Sequence, residues 1–398
     1  MADKKTKQSP SGQPLTAEQK RVMRRRRARR RAAVRLIVLV TLCVCVLVMW
    51  QNWDQVAPDR LISHLQDMMG STTGSYPVDL SGTGARRLEQ VDNYSVVLTD
   101  SHLTYLNQSG AEVKRYSCAY PSALMCTAGR YVLVAEQDGR RLHLSSRTAV
   151  LTEMEADQRI IAVALNAKGH FAVLTQGAQG YMVQVKVYDR NGKELYSRSR
   201  NHTATEIALS PDGRQFALLS VESVDGTLDT KMEAFSLTTS DTEALCAYTA
   251  ADTLLYRMEY MANGWLVGFS EDGAVLLDTA DGLITVYKPA GMRVLGYASA
   301  DETLALVLRP YGSTGDGEVH IVNKQGEPTN TVSFGGVFRD LSQTAGQYTL
   351  LTDTYAQRIT STDAGEPVAV EEDGRQVVCD GSNVVVLGLN RLSAYPLS

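Results

Sequence analysis

The stretch ALSPDGRQFALLS, Ala208 to Ser220, decides the fold. Its centre, SPDG, is turn chemistry: Pro presets φ, Asp accepts local backbone bonds and Gly permits a positive φ. RQFALLS then reads as a strand buried on both faces, since its apolar run lacks alternation. Similar units start at Leu165 (LNAKGHFAVLT), Tyr260 (YMANGWLVGFS) and Leu341 (LSQTAGQYTLLT). Weaker copies are LMCTAGRYVLVA from Leu124, VDNYSVVLT from Val91, ASADETLALVL from Ala298 and VCDGSNVVVLG from Val378.

The turns fall near Asn93, Gly129, Gly169, Gly213, Gly264, Asp301, Gly346 and Gly381, with a mean spacing of about 41 residues. A period of about 40 built from short strands is the signature of a propeller blade. A second turn follows in many repeats, at Gly110, Gly192, Gly282, Gly326 and Gly365, where a third strand would turn into the outermost one. Eight first turns predict an all-β, eight-bladed β-propeller. Seven blades is the alternative if the VDNYSVVLT repeat merges with a neighbour, and a pair of β-sandwiches is a weaker one. The last repeat has strands near Gln376–Cys379, Val384–Leu387 and Leu392–Tyr395, and lacks an outer strand. YPVDLSG, Tyr76 to Gly82, is expected to supply it and so close the ring, removing two open edges.

SPDGRQFALL is similar to the strand-turn-strand unit of bacterial propeller repeats. The whole layout, with YPVDLSG, LTYLNQSGAEVKRY, LNAKGHFAVLT and VYDRNGKELYS, resembles an uncharacterised family of Gram-positive single-span membrane proteins. In that family a basic N-terminus and one span precede an extracytoplasmic propeller-like domain. The resemblance implies architecture and topology and brings no activity with it.

The N-terminal part has a different character. Residues 1–35 hold thirteen Lys/Arg against Asp3 and Glu18, a net +11, which leaves −15 for the rest of a chain whose total is −4. RRRRARRR contributes Arg24, Arg25, Arg26, Arg27, Arg29, Arg30 and Arg31. LIVLVTLCVCVLVMW, Leu36 to Trp50, follows without a charge. Extended to Ala32 and Trp53 it has the roughly 20 residues a span needs. Arg35 can snorkel to the headgroups, and Trp50 and Trp53 suit the far interface. A cleaved signal peptide fits poorly, because QNWDQVAPD offers no small-x-small site. Flanking cations stay on the cytoplasmic side, so the expected order is a basic cytoplasmic tail (1–31), a transmembrane helix (32–53), a neck helix and linker (54–75) and an outside propeller (76–398). The tail should attract anionic lipid headgroups. Nucleic acid is the lesser reading of the arginines: no aromatics interleave them, and an acidic body repels phosphates.

Site chemistry is sparse. The six histidines (64, 102, 143, 170, 202 and 320) are scattered, and no His-Glu-x-x-His, nucleophile elbow or phosphate loop occurs. SGTGARR at Ser81 and DTADG at Asp278 read as turns. A single Trp in the repeats, Trp265, argues against a quinone-dependent propeller enzyme. No cofactor, catalytic residue or metal ligand is assigned. Cys118, Cys126, Cys246 and Cys379 read as strand-borne core filling with free thiols, disulfides remaining open. Cys43 and Cys45 read as lipid-facing.

The expected function is a binding or scaffolding platform in the cell envelope, because loops on a rigid scaffold are where recognition concentrates. Val221–Lys231 and Arg309–Val319 are the candidate surfaces, or else elongated hairpins. An envelope protein or glycan is the expected partner at the loops. The alternative is an envelope hydrolase or lyase with its site in the central channel. Convergent channel carboxylates or histidines would point to the enzyme, and an apolar plug to binding.

Overall fold

The computed structural model describes residues 74–238, 243–371, 373–381 and 383–396. The basic tail, the span and most of the neck, with Arg24–Arg31, Arg35, Trp50 and Trp53, lie outside the described residues. Among the described residues no helix is long and apolar enough to cross a membrane.

The repeats form eight four-stranded antiparallel sheets, and in seven of them the strands lie in chain order. Blade 1 starts at Arg87, blade 2 at Ala123, blade 3 at Ile160, blade 4 at Glu206, blade 5 at Leu255, blade 6 at Met292, blade 7 at Phe338 and blade 8 at Gln376. Every first turn read from the sequence joins the innermost strand of a blade to its second strand. In blade 4, Ser210 Oγ accepts the Arg214 and Gln215 N–H groups at 3.2 and 2.9 Å. The Gly213 N–H donates to the Ser210 carbonyl at 2.9 Å, and Gly213 takes φ +68°. The SPDG turn thus closes through its own side chains.

Strand composition follows position in the blade. Second strands such as Tyr131–Glu136, Phe171–Gln176 and Trp265–Ser270 are buried almost throughout. Both of their faces pack on neighbouring blades, so they read as continuous apolar runs. Outer strands such as Glu112–Ser117 (EVKRYS) meet water and carry charge, which also blunts their free edges.

The core is distributed around the ring. Eight apolar clusters each join two adjacent blades. Between blades 3 and 4, Phe216 stacks on Phe235 at 5.2 Å and meets Tyr196 at 5.2 Å. Between blades 5 and 6, Tyr297 stacks on Phe269 at 3.8 Å.

The ring closes where the sequence placed the closure. Val78–Asp79 is the fourth strand of blade 8, with Val78 opposite Leu392 and Asp79 opposite Arg391. Leu80 N–H continues the contact to the Asn390 carbonyl at 2.7 Å. Tyr76, Val78 and Leu80 pack on the cluster of Leu88, Leu106, Leu387 and Leu392 that joins blade 8 to blade 1.

Val221–Lys231 proves to be an elongated hairpin. Gln215–Val224 and Thr227–Ser236 pair along their full length around Asp225 and Gly226. Both turn residues have positive φ, +50° and +87°, the geometry a two-residue hairpin turn requires. The four cysteines are free thiols. Cys118 and Cys379 are buried as expected, whereas Cys246 begins an outer strand and Cys126 lines the channel.

Candidate functional site

The innermost strands of all eight blades surround a cavity of about 930 Å³ on the ring axis. An innermost strand has one edge without a neighbouring strand, so its backbone groups need other partners. Adjacent blades supply two of them. Leu88 N–H donates to Gln376 Oε1 at 2.8 Å, and Val377 N–H donates to Asp340 Oδ2 at 2.9 Å.

Six charged side chains face this space: Arg87, Glu89, Glu206, Arg257, Glu259 and Asp340. Arg87 Nε donates to Glu89 Oε1 at 3.2 Å. Arg257 Nη1 donates to both oxygens of Glu206, at 3.1 and 3.0 Å. Two carboxyls beyond those ion pairs leave the channel lining with a formal excess of negative charge.

Local backbone geometry aims some of these groups. Four innermost strands slip register by one residue against their second strand: between Ile160 and Ala162, Leu255 and Arg257, Val294 and Gly296, and Phe338 and Asp340. Such bulges re-aim side chains. In blades 5 and 7 the residue that resumes the ladder is Arg257 or Asp340, both of which line the cavity.

Burial governs the electrostatics. It raises the pKa of Glu89 above the usual carboxylate range, opposed by Arg87 and assisted by Asp340. It raises Glu206 against the pull of Arg257, Glu259 against Ser299 and Arg257, and Asp340 against the Val377 N–H. Burial works against the Arg257 charge, but Glu206, helped by Cys126, Tyr297 and Glu259, outweighs it and holds the guanidinium protonated. The Cys126 thiol is pushed up to about 11 by burial, so it is no nucleophile at neutral pH. Glu206 keeps 20% of its side chain exposed and Glu89 keeps 30%, so water in the channel tempers all these effects. Among the described residues no group of three or more His, Cys, Asp or Glu is placed to hold a metal ion.

These shifts predict a pH dependence. A carboxyl whose folded pKa is raised binds more protons in the folded state, so stability falls as pH rises from the unfolded value near 4 through the folded one. His143 opposes this: burial lowers its pKa, and its contribution is lost as pH falls through its folded value. Glu136 and Asp157 are held low by bonds from Arg141 and Lys186, and their contributions are lost only in stronger acid. A double substitution, Glu259→Gln with Asp340→Asn, isolates the channel. It should stabilise the protein at pH 8, and less at pH 5. Denaturant unfolding at both pH values reads this, and a gain independent of pH would refute the assignment.

The sequence reading did not single out the channel charges. The available signal was position: Glu89, Glu206, Glu259 and Asp340 all lie four to seven residues before a first turn.

The sequence model of a family of unknown function, DUF5711, matches residues 71–367. The chain belongs to that family. The match starts at the neck, takes in the closing strand Val78–Asp79 and runs through six blades and the first three strands of blade 7. A search of curated proteins gives no match to this DUF5711 chain. Among solved structures, it is similar to BamB from Moraxella catarrhalis, with TM-score 0.50 and 11% identity over 82% of this chain and 99% of that one. It is also similar to a eukaryotic initiation factor, with TM-score 0.54 and 10% identity over 79% and 83% of the two chains. At such identities the likeness concerns the fold alone. The DUF5711 chain is an eight-bladed propeller with a charged cavity on its axis.

Proposed function

We propose that the protein is a membrane-anchored, extracytoplasmic propeller that serves as a binding or scaffolding platform in the cell envelope. The observation that carries the binding role is the closed ring itself. Eight blades fixed by eight inter-blade clusters hold their connecting loops on two rigid faces, where recognition costs little ordering. The likeness to BamB and to the initiation factor fits such a role. The anchor rests on the charge-free run from Leu36 to Trp50 and the arginines before it. Anionic lipid headgroups at the tail and an envelope protein or glycan at the loops are the partners this reading names. Nucleic acid is not among them, since the propeller is acidic.

The channel supports a second reading, an envelope hydrolase or lyase, because convergent carboxylates with raised pKa are what such chemistry uses. Their present engagements favour binding. Glu89 and Glu206 hold arginines and Asp340 caps a strand edge, which leaves Glu259 as the one carboxyl among the four outside these tasks.

Topology is tested directly. Protease applied to intact, wall-stripped cells should remove residues 54–398 and spare an N-terminal tag. A protected propeller overturns the anchor. Neutral residues in place of Arg24–Arg31 should yield a mixed orientation in the same assay, because that cluster supplies most of the inside charge.

A further inference from the structure

One face of the ring carries a sector built for contact. In each blade the turn between second and third strands lies on the same face as the connection to the next blade. On that face Tyr181, Met182, Leu228, Leu254, Tyr256 and Tyr311 follow one another across blades 3 to 6, each at least 44% exposed. Isolated exposed apolar residues need no explanation, but a run of them on neighbouring loop tips does. Tyr256 is the extra residue of the blade 5 bulge, next in sequence to Arg257 of the channel lining.

The same sector is acidic. The elongated hairpin carries Glu222, Asp225 and Asp229, and Asp252 lies beside it, its N–H donating to Asp229 Oδ1 at 3.0 Å. Glu206 and Glu259 line the channel below. Three nearby cations are already engaged: Lys231 with Glu233 at 2.9 Å, Lys288 with Asp272, and Arg257 with Glu206. The hairpin strands are ten residues long where the matching strands of other blades have five to eight, so the tip stands out by roughly 10 Å at about 3.3 Å per residue. The described chain starts on the opposite face, where Gly74 N–H donates to Ser109 Oγ at 3.3 Å in an outer turn of blade 1.

We infer that this sector docks a basic, amphipathic polypeptide segment of another protein, with its apolar side chains on the loop tips and its Lys or Arg side chains toward the hairpin and channel mouth. Charge selects the occupant. Phosphate-bearing lipids and nucleic acids are repelled by the acids, and a second copy would bring like charge to like charge. The inference rests on the platform reading and specifies its partner.

The test uses the full chain in phosphatidylcholine nanodiscs, with empty discs subtracted. The probe is a fluorescent 18-residue Leu/Lys amphipathic peptide, read by anisotropy. It should bind at least tenfold more tightly than a Leu/Glu peptide and than a Gly/Lys peptide of equal charge. Leu254→Ser, Tyr256→Ser and Tyr311→Ser together should weaken binding at least tenfold. Glu222→Gln, Asp225→Asn and Asp229→Asn together should do the same and flatten the salt dependence. Leu195→Ser with Leu283→Ser, toward the opposite face, should change nothing. Binding untouched by either face variant, with native circular dichroism, overturns the inference. So does binding to phosphatidylglycerol vesicles that those variants abolish, which would mark a lipid surface.

A photoreactive side chain at position 256 or at 195, in native membranes, separates the two levels. A crosslink from 256 to a segment rich in Lys/Arg and Leu or aromatics supports the docking face. A partner captured only from 195 overturns that face and leaves the platform standing, and capture from neither overturns both.

Discussion

A chain that starts at residue 84 should unfold about 6 °C below one that starts at residue 57. The shorter chain lacks Val78–Asp79, the fourth strand of blade 8. It also lacks Tyr76, Val78 and Leu80, which pack half-buried between blades 8 and 1. Burying an apolar side chain completely contributes about 1.5–3 kcal/mol, so three partly buried ones contribute about 4 kcal/mol. With an unfolding entropy of about 2.1 cal/mol/K per residue, each kcal/mol moves the Tm of a domain this large by about 1.5 °C. The loss is not only local. Arg391–Pro396 becomes an open edge strand, and open edges pair with other chains, so the monomer yield should fall as well. The chain from residue 57 keeps the whole ring and should be a soluble monomer. Thermal unfolding and gel filtration of the two chains read both effects. Equal Tm values would mean that the remaining seven inter-blade contacts carry the ring without its closing strand.

Phe216→Ala should cost about 3–5 kcal/mol, the range for an aromatic truncated in a packed core. Phe216 is fully buried and lies opposite Phe235 in the register of blade 4. It stacks on that ring and meets Tyr196 of blade 3. Its removal opens a cavity in the cluster that holds two blades together, and neither blade can close the gap without breaking contacts on its other side. Leu228→Ala, twelve residues along the same hairpin, is the internal control. Leu228 is 44% exposed at the tip, and its truncation should stay within about 0.5 kcal/mol. Urea unfolding of both variants decides the matter, and similar losses would show that the long hairpin is anchored through its tip.

Most of the blade plan was legible because it is encoded locally. A turn needs Gly, Asp or Asn at fixed offsets, and Gly213 and Gly381 sit where the backbone has positive φ. Asn93 and Asp301 served as turn markers where no glycine stands. The fully buried second strands announce themselves as apolar runs, and the absent outer strand of the last repeat pointed to Tyr76–Gly82 as its replacement.

The channel was not legible in the same way. Glu89 and Asp340 lie 251 residues apart in sequence, and nothing in either repeat states that they face one cavity. Arg257 is directed there by a one-residue slip in strand pairing, a feature without a sequence signature of its own. The exposed sector has the same origin: Tyr181, Tyr256 and Tyr311 are unremarkable singly and share a face only once the ring is closed. The sequence by itself determined the repeat, the strand order and the closing segment, because hydrogen bonding within a hairpin involves near neighbours. Only the tertiary structure decided which charges meet on the axis and which loops share a face, because those relations follow from the rotation between blades, which no single repeat contains.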